Sequence, residues 1–371
     1  MNPNDARESQ QESRIASLDG LRAVAIGCVI AAHLQGDRGF PLPPSLLLDA
    51  LGLLGVNAFF VLSGFLITGL LMREVSRDHT INLRHFYFRR TLRIFPPYYV
   101  FIAFVVIVGA VGVWSVSWKD LLYSATYTSN YAWLGEHRLF VGFPLSHSWS
   151  LAVEEQFYLV WPASMLLLGL SRARWLPLVI IAGAPIATML EERAGWGIAG
   201  YSFETVSAGL AFGCALALWY SRLSESPVFQ VLMRSLWLPF VAVAVAFLRP
   251  LTLTLPHSQS LTHSVQLLAL TLLLAWCVEN PRSVLGRVLN TRPVTYVGRL
   301  SYSLYLWQQP FLIRHGNDGW PQPFPINLLL VAAAALLSYY LVERPALRWR
   351  ARIEERRRAR TPEFMASHQA T

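Results

Sequence analysis

The chain has 371 residues, of which 54% are hydrophobic and 14% are charged, with a formal net charge of +9. An ordinary soluble domain carries about 25% charged residues, so this composition excludes a soluble globular protein and indicates an integral membrane protein. The basic residues are almost all arginines, and most lie in short polar segments between apolar runs. That distribution is typical of membrane topology signals and argues against a nucleic-acid partner.

We predict an all-α fold, a polytopic integral membrane bundle of about ten transmembrane helices, because each crossing needs about twenty largely apolar residues. The fifth and seventh predicted helices are short, so each is a tilted span, a re-entrant segment or a miscounted helix. In chain order the predicted spans are residues 15–34, 49–72, 94–114, 149–170, 175–190, 203–220, 235–249, 262–279, 295–314 and 326–347.

The arginine distribution predicts the orientation of the bundle. Arginines are dense in segment 73–93 and again from 344 to 360, and positively charged loops stay in the cytoplasm. Both termini are therefore predicted to be cytoplasmic, in a multi-pass protein of the inner (plasma) membrane. Residues 1–14 form a cytoplasmic segment, 15–347 the membrane domain, and 348–371 a basic cytoplasmic tail beside the lipid headgroups.

Two ionisable residues lie inside the first predicted helix. Arg22 and His33 are eleven residues apart, so they face the same way and lie about 16 Å apart along the helix axis. Ionisable side chains are costly in a bilayer and mark functional paths. A neutral imidazole accepts protons, so His33 is the candidate general base. The alternative for His33 is a hydrogen bond between helices.

The second predicted helix contains Asn57 and Ser63, which are candidate pocket residues. The sequence argues against Ser63 as a nucleophile, because no base stands at a recognisable spacing and such a serine usually bonds to the backbone. The polar segment that follows carries Arg89, Arg90 and Arg93, whose guanidinium groups match phosphate oxygens in charge and geometry. Anchoring by lipid headgroups is the alternative. Pro96-Pro97 predicts a helix break there, with irregular backbone lining a cavity.

The fourth predicted helix begins with the segment SHSWSLAVEEQFYLVWP. His147 stands just outside this helix, and Glu154 lies near its outer end. Both are candidate catalytic residues, because either side chain could support His33 as the general base. The alternative is that Glu154 or Glu155 pairs with an arginine to offset the cost of burial. In the sixth helix, Gly209 and Gly213 form a small-xxx-small pair that predicts close helix packing.

The ninth predicted helix adds Tyr305, Gln308 and Gln309 before a proline. Buried glutamine side chains need hydrogen-bond partners, so they indicate a polar pocket or an interhelical clamp. Cys28, Cys214 and Cys277 are widely spaced in apolar runs, with neither a disulfide framework nor metal-ligand spacing. No metal site is predicted.

These segments together resemble the membrane-bound acyltransferase family 3, which includes O-antigen and other bacterial O-acetyltransferases. The resemblance covers nearly the whole chain, and its six motifs occur in the family's order. They are the Arg-x10-His of Arg22 and His33, FFVLSGFLIT (59–68), FYFRRTLRIFPPYY (86–99), HSWSLAVEEQFYLVWP (147–162), GRLSYSLYLWQQP (298–310) and VERP (342–345).

The resemblance implies transfer of an acyl group, commonly acetyl from acetyl-CoA, to a hydroxyl of a carbohydrate or glycoconjugate. It implies that His33 and Arg22 are essential, that Arg90 and Arg93 bind the donor at the inner face, and that Glu154 belongs to the active core. Acyl-CoA would be a substrate, with no cofactor held permanently. Many members carry His where Gln308 stands and Asp where Asn57 stands.

Larger members of that family append a soluble esterase-like domain. None fits in this chain, so the final transfer is expected within the bundle or on a partner. Two other classes of function remain open. A transporter or flippase for a glycan-linked or acylated substrate would also place Arg, His and Glu in the membrane, whereas a membrane scaffold would carry no chemistry.

Overall fold

A computed structural model describes residues 16–132, 144–196, 200–247, 259–312 and 323–355, and these segments are helical with no strand. The predicted segment 1–14 and most of the tail 348–371 lie outside the described residues. The helices are α1 Ala16–Leu34, α2 Leu46–Asp78, α3 Leu83–Ala110, α4 Trp118–Ala125, α5 Ser148–Ala173, α6 Leu176–Arg193, α7 Phe203–Glu225, α8 Pro227–Arg234, α9 Leu238–Ala246, α10 Gln259–Glu279, α11 Val284–Leu289, α12 Arg292–Gln308 and α13 Ile326–Ser338. A 3₁₀ turn, Ser129–Tyr131, follows α4, and a π turn, Tyr339–Glu343, extends α13.

Six of the described helices are long and apolar enough to cross a membrane, and up to eight spans result if each bent helix pair is one span. The six are α1, α2, α3, α7, α10 and the stretch that begins with α13. The axes of α5 and α6 are bent by 102°, and those of α8 and α9 by 90°. The sequence prediction of about ten spans treated α5 and α6 as separate crossings and included α12, which is not among these candidates.

Short polar side chains begin several of the long helices. Ser45 accepts a hydrogen bond from the backbone N–H of Leu48 at 3.3 Å, and Asn82 accepts one from that of His85 at 2.9 Å. These caps satisfy backbone donors that the first helical turn leaves unpaired. They fix the residues at which α2 and α3 begin, and a short turn of residues 79–82 joins the two helices.

Helix α3 is continuous from Leu83 to Ala110, so the predicted break at Pro96-Pro97 is wrong. Prolines are tolerated in membrane helices where neighbouring groups satisfy the backbone that they disturb. Pro96 and Pro97 lack the N–H groups that would bond the carbonyls of Leu92 and Arg93, and α12 contacts α3 at this turn, where the Tyr302 hydroxyl donates a hydrogen bond to the Ile94 carbonyl at 2.9 Å. The arginines before the prolines therefore project from a regular helix.

Helix α2 lies at the centre of the bundle, against α1 on one side and α7 on the other, while α12 packs on α1. Close approach of α2 and α7 depends on glycine. A Cβ on Gly64 would lie 1.9 Å from the Leu210 carbonyl oxygen, and one on Gly213 would lie 2.0 Å from that of Val61. Gly209, also on α7, faces Phe60 of α2. The close packing predicted for Gly209 and Gly213 is confirmed.

Replacement of Gly213 by alanine is expected to lower the free energy of unfolding by about 1–3 kcal/mol, because the new methyl group must push α7 away from α2. Gly183→Ala in α6 is the matched control, since nothing lies within 4 Å of its Cβ position. Thermal unfolding of both variants in the same detergent measures the difference. Equal melting temperatures would show that α2 and α7 are not in contact at Gly213.

The loop between α1 and α2 is fastened to the start of α13. The carboxylate of Asp37 accepts a hydrogen bond from the Asn327 side-chain amide at 2.6 Å, and the backbone N–H of Phe324 donates to the Arg38 carbonyl at 2.9 Å. Burial raises the pKa of Asp37 from 3.8 to about 7. This carboxyl group therefore holds a proton in the folded protein at pH values where the unfolded chain has released it.

The raised pKa of Asp37 predicts a pH-dependent stability. Its contribution is fully present below pH 3.8 and is lost as the pH rises through about 7. The Asp37→Asn variant keeps an oxygen for Asn327 but cannot ionise, so it should lose this dependence and be the more stable protein at pH 8. Melting temperatures of the unaltered protein and of Asp37→Asn across this pH range test the prediction. It fails if the two proteins show the same dependence of melting temperature on pH.

Candidate active site

A cavity of about 730 Å³, including its open side, lies among α1, α2, α3, α5 and α12. Its charged members come from three helices. They are Arg22 of α1, Arg90 and Arg93 of α3, and Glu154 and Glu155 of α5. The other lining residues are Val56, Phe59, Phe60, Ser63, Ile94, Ser150, Leu151, Ser301, Tyr302 and Tyr305.

Glu154 is the centre of a hydrogen-bond network inside this cavity. The Ser63 hydroxyl donates to its carboxylate at 2.6 Å, and the Arg90 guanidinium does so at 3.3 Å. The Tyr158 hydroxyl, four residues along α5, donates to the same oxygen. Glu154 thus contacts Arg90 rather than His33, as the arginine-pairing alternative expected. Ser63 acts as a donor to a side chain.

Arg90 is held in place from three directions. Its Cζ atom lies 3.4 Å from the centroid of the Tyr158 ring, and its Nε atom lies 3.8 Å from a Glu155 carboxylate oxygen. Arginine stacks on aromatic faces while its planar fork binds carboxylates, which lysine cannot reproduce. The stacking and the two carboxylates together hold the guanidinium at the cavity wall in one orientation.

The cavity contains more positive than negative charge. Arg22 forms an ion pair with Asp19 of its own helix at 3.8 Å. Arg93 lies where the charges of Arg22 and Arg90 act on it, opposed by that of Glu343. Three arginines thus face two lining carboxylates. Guanidinium groups suit phosphate oxygens, so these three arginines offer donors to an anionic ligand.

Arg89 was grouped with Arg90 and Arg93 in the sequence prediction, but it does not line the cavity. Its guanidinium binds the Glu74 carboxylate at 3.0 Å and an imidazole nitrogen of His85 at 2.9 Å. Glu74, which is 8% exposed, also accepts a hydrogen bond from the backbone N–H of Asn82. Arg89 therefore joins the last turns of α2 to α3, on a different face of α3 from Arg90.

His33 lies further along α1, about 16 Å from Arg22 along the axis. Its Nδ1 is 2.7 Å from the side-chain oxygen of Gln308 on α12. Arg22 lines the cavity that α12 borders, and His33 bonds to α12 itself, so both residues face that helix. Tyr305 and Gln308 share one face of α12, which therefore runs from the cavity to His33.

His147 is buried, with 4% of its surface exposed, at the start of α5. Its ring packs edge-on against Phe101 and Tyr305, with centroids 5.4 and 5.5 Å away. Within the described residues, neither ring nitrogen has a hydrogen-bond partner. The Tyr305 and Ser150 hydroxyls are 2.5 Å apart, and both line the cavity. Tyr305 therefore borders both the cavity and the ring of His147.

Asn57 does not line the cavity, although the sequence indicated a pocket residue. Its amide donates to Gln266 of α10 at 2.8 Å, and its oxygen lies 3.4 Å from His263. Asn57 thus fastens α2 to α10.

The sequence analysis assigned no role to Tyr158 or Glu343. Tyr158 contacts Glu154 and Arg90, and the charge of Glu343 acts on Arg93. Tyr158 follows Glu154 by one helical turn, so the i, i+4 spacing could have paired them. Glu343 is the acidic residue of the VERP segment; Ser303 donates to it at 3.1 Å, and its charge acts on Arg93. Across the described ranges, no group of three or more His, Cys, Asp or Glu side chains could hold a metal.

A family model described as an acyltransferase domain matches residues 15–343. YrhL of Bacillus subtilis is 33% identical over 91% of this chain and 56% of its own length. The peptidoglycan O-acetyltransferase OatA of Listeria monocytogenes is 30% identical over 80% of this chain and 49% of its own length. The O-acetyltransferase OatA of Staphylococcus aureus is 28% identical over 89% of this chain and 57% of its own length.

The chain spans about half the length of these curated relatives. No solved structure matches it.

Proposed function

The chain belongs to the acyltransferase-domain family, and from that membership we propose that it moves an acyl group, in the simplest case acetyl, from acyl-CoA to a hydroxyl of a carbohydrate or glycoconjugate. The observation that carries the proposal is the arginine cavity of Arg22, Arg90 and Arg93, which is lined in part by α1, the helix that also carries His33. Residues 15–347 are the catalytic membrane domain in this proposal, and 348–371 are a lipid-facing tail.

The donor is bound through its phosphates by Arg22, Arg90 and Arg93. This assignment is supported by the excess of guanidinium groups in the cavity and by the preference of arginine for phosphate. Glu154 and Tyr158 are positioning residues, because both fix the guanidinium of Arg90. The acyl end of the donor extends along α1 and α12, past Tyr305, toward His33.

His33 acts as the general base. Its Nδ1 carries the proton and donates to Gln308, so Nε2 takes the proton of the acceptor hydroxyl. The hydroxyl oxygen attacks the thioester carbonyl, the carbon–sulfur bond breaks, and CoA leaves as a thiol once the proton reaches its sulfur. General base action contributes roughly 10²–10⁴ in rate.

The acceptor is a carbohydrate of the cell envelope, since the name of the Listeria relative states peptidoglycan. With both termini in the cytoplasm, the donor enters from the cytoplasmic side of the plasma membrane, and the His33 end of α1 lies at the outer side. Any even number of crossings satisfies this orientation, including the six or eight that the described helices provide.

Mass spectrometry of surface glycans from cells with and without the gene tests the proposal. We expect ester-linked acetyl groups, removable by mild base, only where the protein is present. Loss of a glycan from the surface, with the acetylation of the remaining glycans unchanged, would instead favour a transporter or flippase.

A further inference from the structure

Two buried polar side chains near His33 leave hydrogen-bonding atoms unused. Gln308 is fully buried, and His147 is 4% exposed. In the described part of the chain, the amide nitrogen of Gln308 and both ring nitrogens of His147 have no partner. Buried polar atoms are nearly always hydrogen-bonded, because leaving them unpaired is costly. These atoms therefore point to a ligand that supplies the missing partners.

The two side chains are joined to the proposed chemistry by direct contacts. The oxygen of Gln308 lies 2.7 Å from His33, which directs its amide nitrogen elsewhere. The ring of His147 packs against Tyr305, which lines the arginine cavity. We call His33, His147 and Gln308 the outer subsite, because it lies about 16 Å beyond Arg22 along α1.

The chemistry of the outer subsite differs from that of the cavity. A glutamine amide nitrogen donates, and a neutral imidazole offers one donor and one acceptor. None of these groups carries a permanent charge, whereas the cavity holds three arginines and two glutamates. A ligand that fits must both donate and accept hydrogen bonds and be uncharged at that point. A sugar hydroxyl has these properties, and a phosphate or carboxylate does not.

We propose that the outer subsite binds the accepting hydroxyl of a neutral sugar, with Gln308 and His147 holding it beside His33. This assignment rests on the proposed acyl transfer and goes beyond it, because it separates the acceptor site from the donor site. The Tyr305–Ser150 hydroxyl pair marks the boundary between the two sites. Acceptor enters from the outer side, and the donor enters through the arginine cavity.

Steady-state kinetics of the full chain in lipid nanodiscs test the assignment. Acetyl-CoA is the donor, and a neutral oligosaccharide of N-acetylglucosamine is the acceptor probe. In His147→Phe, the ring still packs between Phe101 and Tyr305 but forms no hydrogen bond. We expect the KM for the oligosaccharide to rise about tenfold and that for acetyl-CoA to stay unchanged. Tyr340→Phe, which removes an exposed hydroxyl outside the site, should leave both constants unchanged.

A second measurement uses the unaltered protein, so it does not depend on the variant folding. An oligosaccharide that lacks the accepting hydroxyl should inhibit about tenfold more weakly than expected from the KM of its parent, because the buried groups stay unpaired. Equal affinity, or a His147→Phe effect on the acetyl-CoA KM alone, would overturn the outer subsite. If the unaltered protein releases no CoA at all, it is the acyl transfer that fails.

Discussion

Replacement of His33 by alanine is expected to lower acyl transfer by about 10²–10⁴-fold, the range that a positioned general base contributes. The reason is chemical rather than structural. Without the imidazole of His33, the hydroxyl loses its general base as it attacks the thioester. The rate of CoA release from acetyl-CoA in the presence of a glycan acceptor measures the effect.

The fold of the His33 variant must be intact for this result to count. His33 lies in the last turn of α1, and its contact with Gln308 is one of many between α1 and α12. We therefore expect a melting temperature close to that of the unaltered protein. His85→Ala is the matched control, because His85 lies on α3 beside Arg89 and outside the cavity. A folded His33→Ala protein with normal turnover would exclude the proposed mechanism.

Replacement of Arg90 by methionine is expected to weaken acyl-CoA binding by about 10- to 100-fold, the effect of losing one hydrogen bond to a charged group. The affinity of Arg90→Lys for acyl-CoA should fall between those of the unaltered protein and Arg90→Met, because the ammonium keeps the charge but loses the stacking on Tyr158. Equilibrium binding of a non-hydrolysable acyl-CoA analogue measures both. Arg77→Met is the matched control, since Arg77 pairs with Asp78 at the exposed end of α2.

The same substitution leaves Glu154 without its guanidinium. Truncating one partner of a buried charge pair costs about 2–5 kcal/mol, and the lower end applies here because each side chain is 21% exposed. Adding Glu154→Gln should restore much of the stability of Arg90→Met but none of its affinity for the donor. If Arg90→Met binds the analogue normally, the arginine cavity is not the donor site.

The sequence was sufficient to place the charged residues but not to pair them. The eleven-residue spacing of Arg22 and His33 predicts that both lie on one face of α1, because helical periodicity is a local property. The partner of each residue is not local. Arg90 binds Glu154, Arg89 binds Glu74, and His33 binds Gln308, across 64, 15 and 275 positions of the chain.

Such pairings depend on the rotation of each helix about its axis and on its position along the bundle. The residue spacing within one segment cannot predict either. Arg89 and Arg90 are neighbours in sequence, yet about 100° of helical rotation separates them, so they face different elements. The continuity of α3 through Pro96 and Pro97 also occurs where a helix distant in sequence packs on it. Tyr302, from a helix distant in sequence, supplies a hydrogen bond to the turn before the prolines.

The most direct measurement follows the acetyl group itself. Purified full chain in nanodiscs is given acetyl-CoA labelled in its acetyl group and a neutral oligosaccharide, and free CoA and labelled ester are counted together. The account predicts one ester formed for each CoA released in the unaltered protein, and loss of both in His33→Ala. Movement of the oligosaccharide across the membrane without any release of CoA would contradict it.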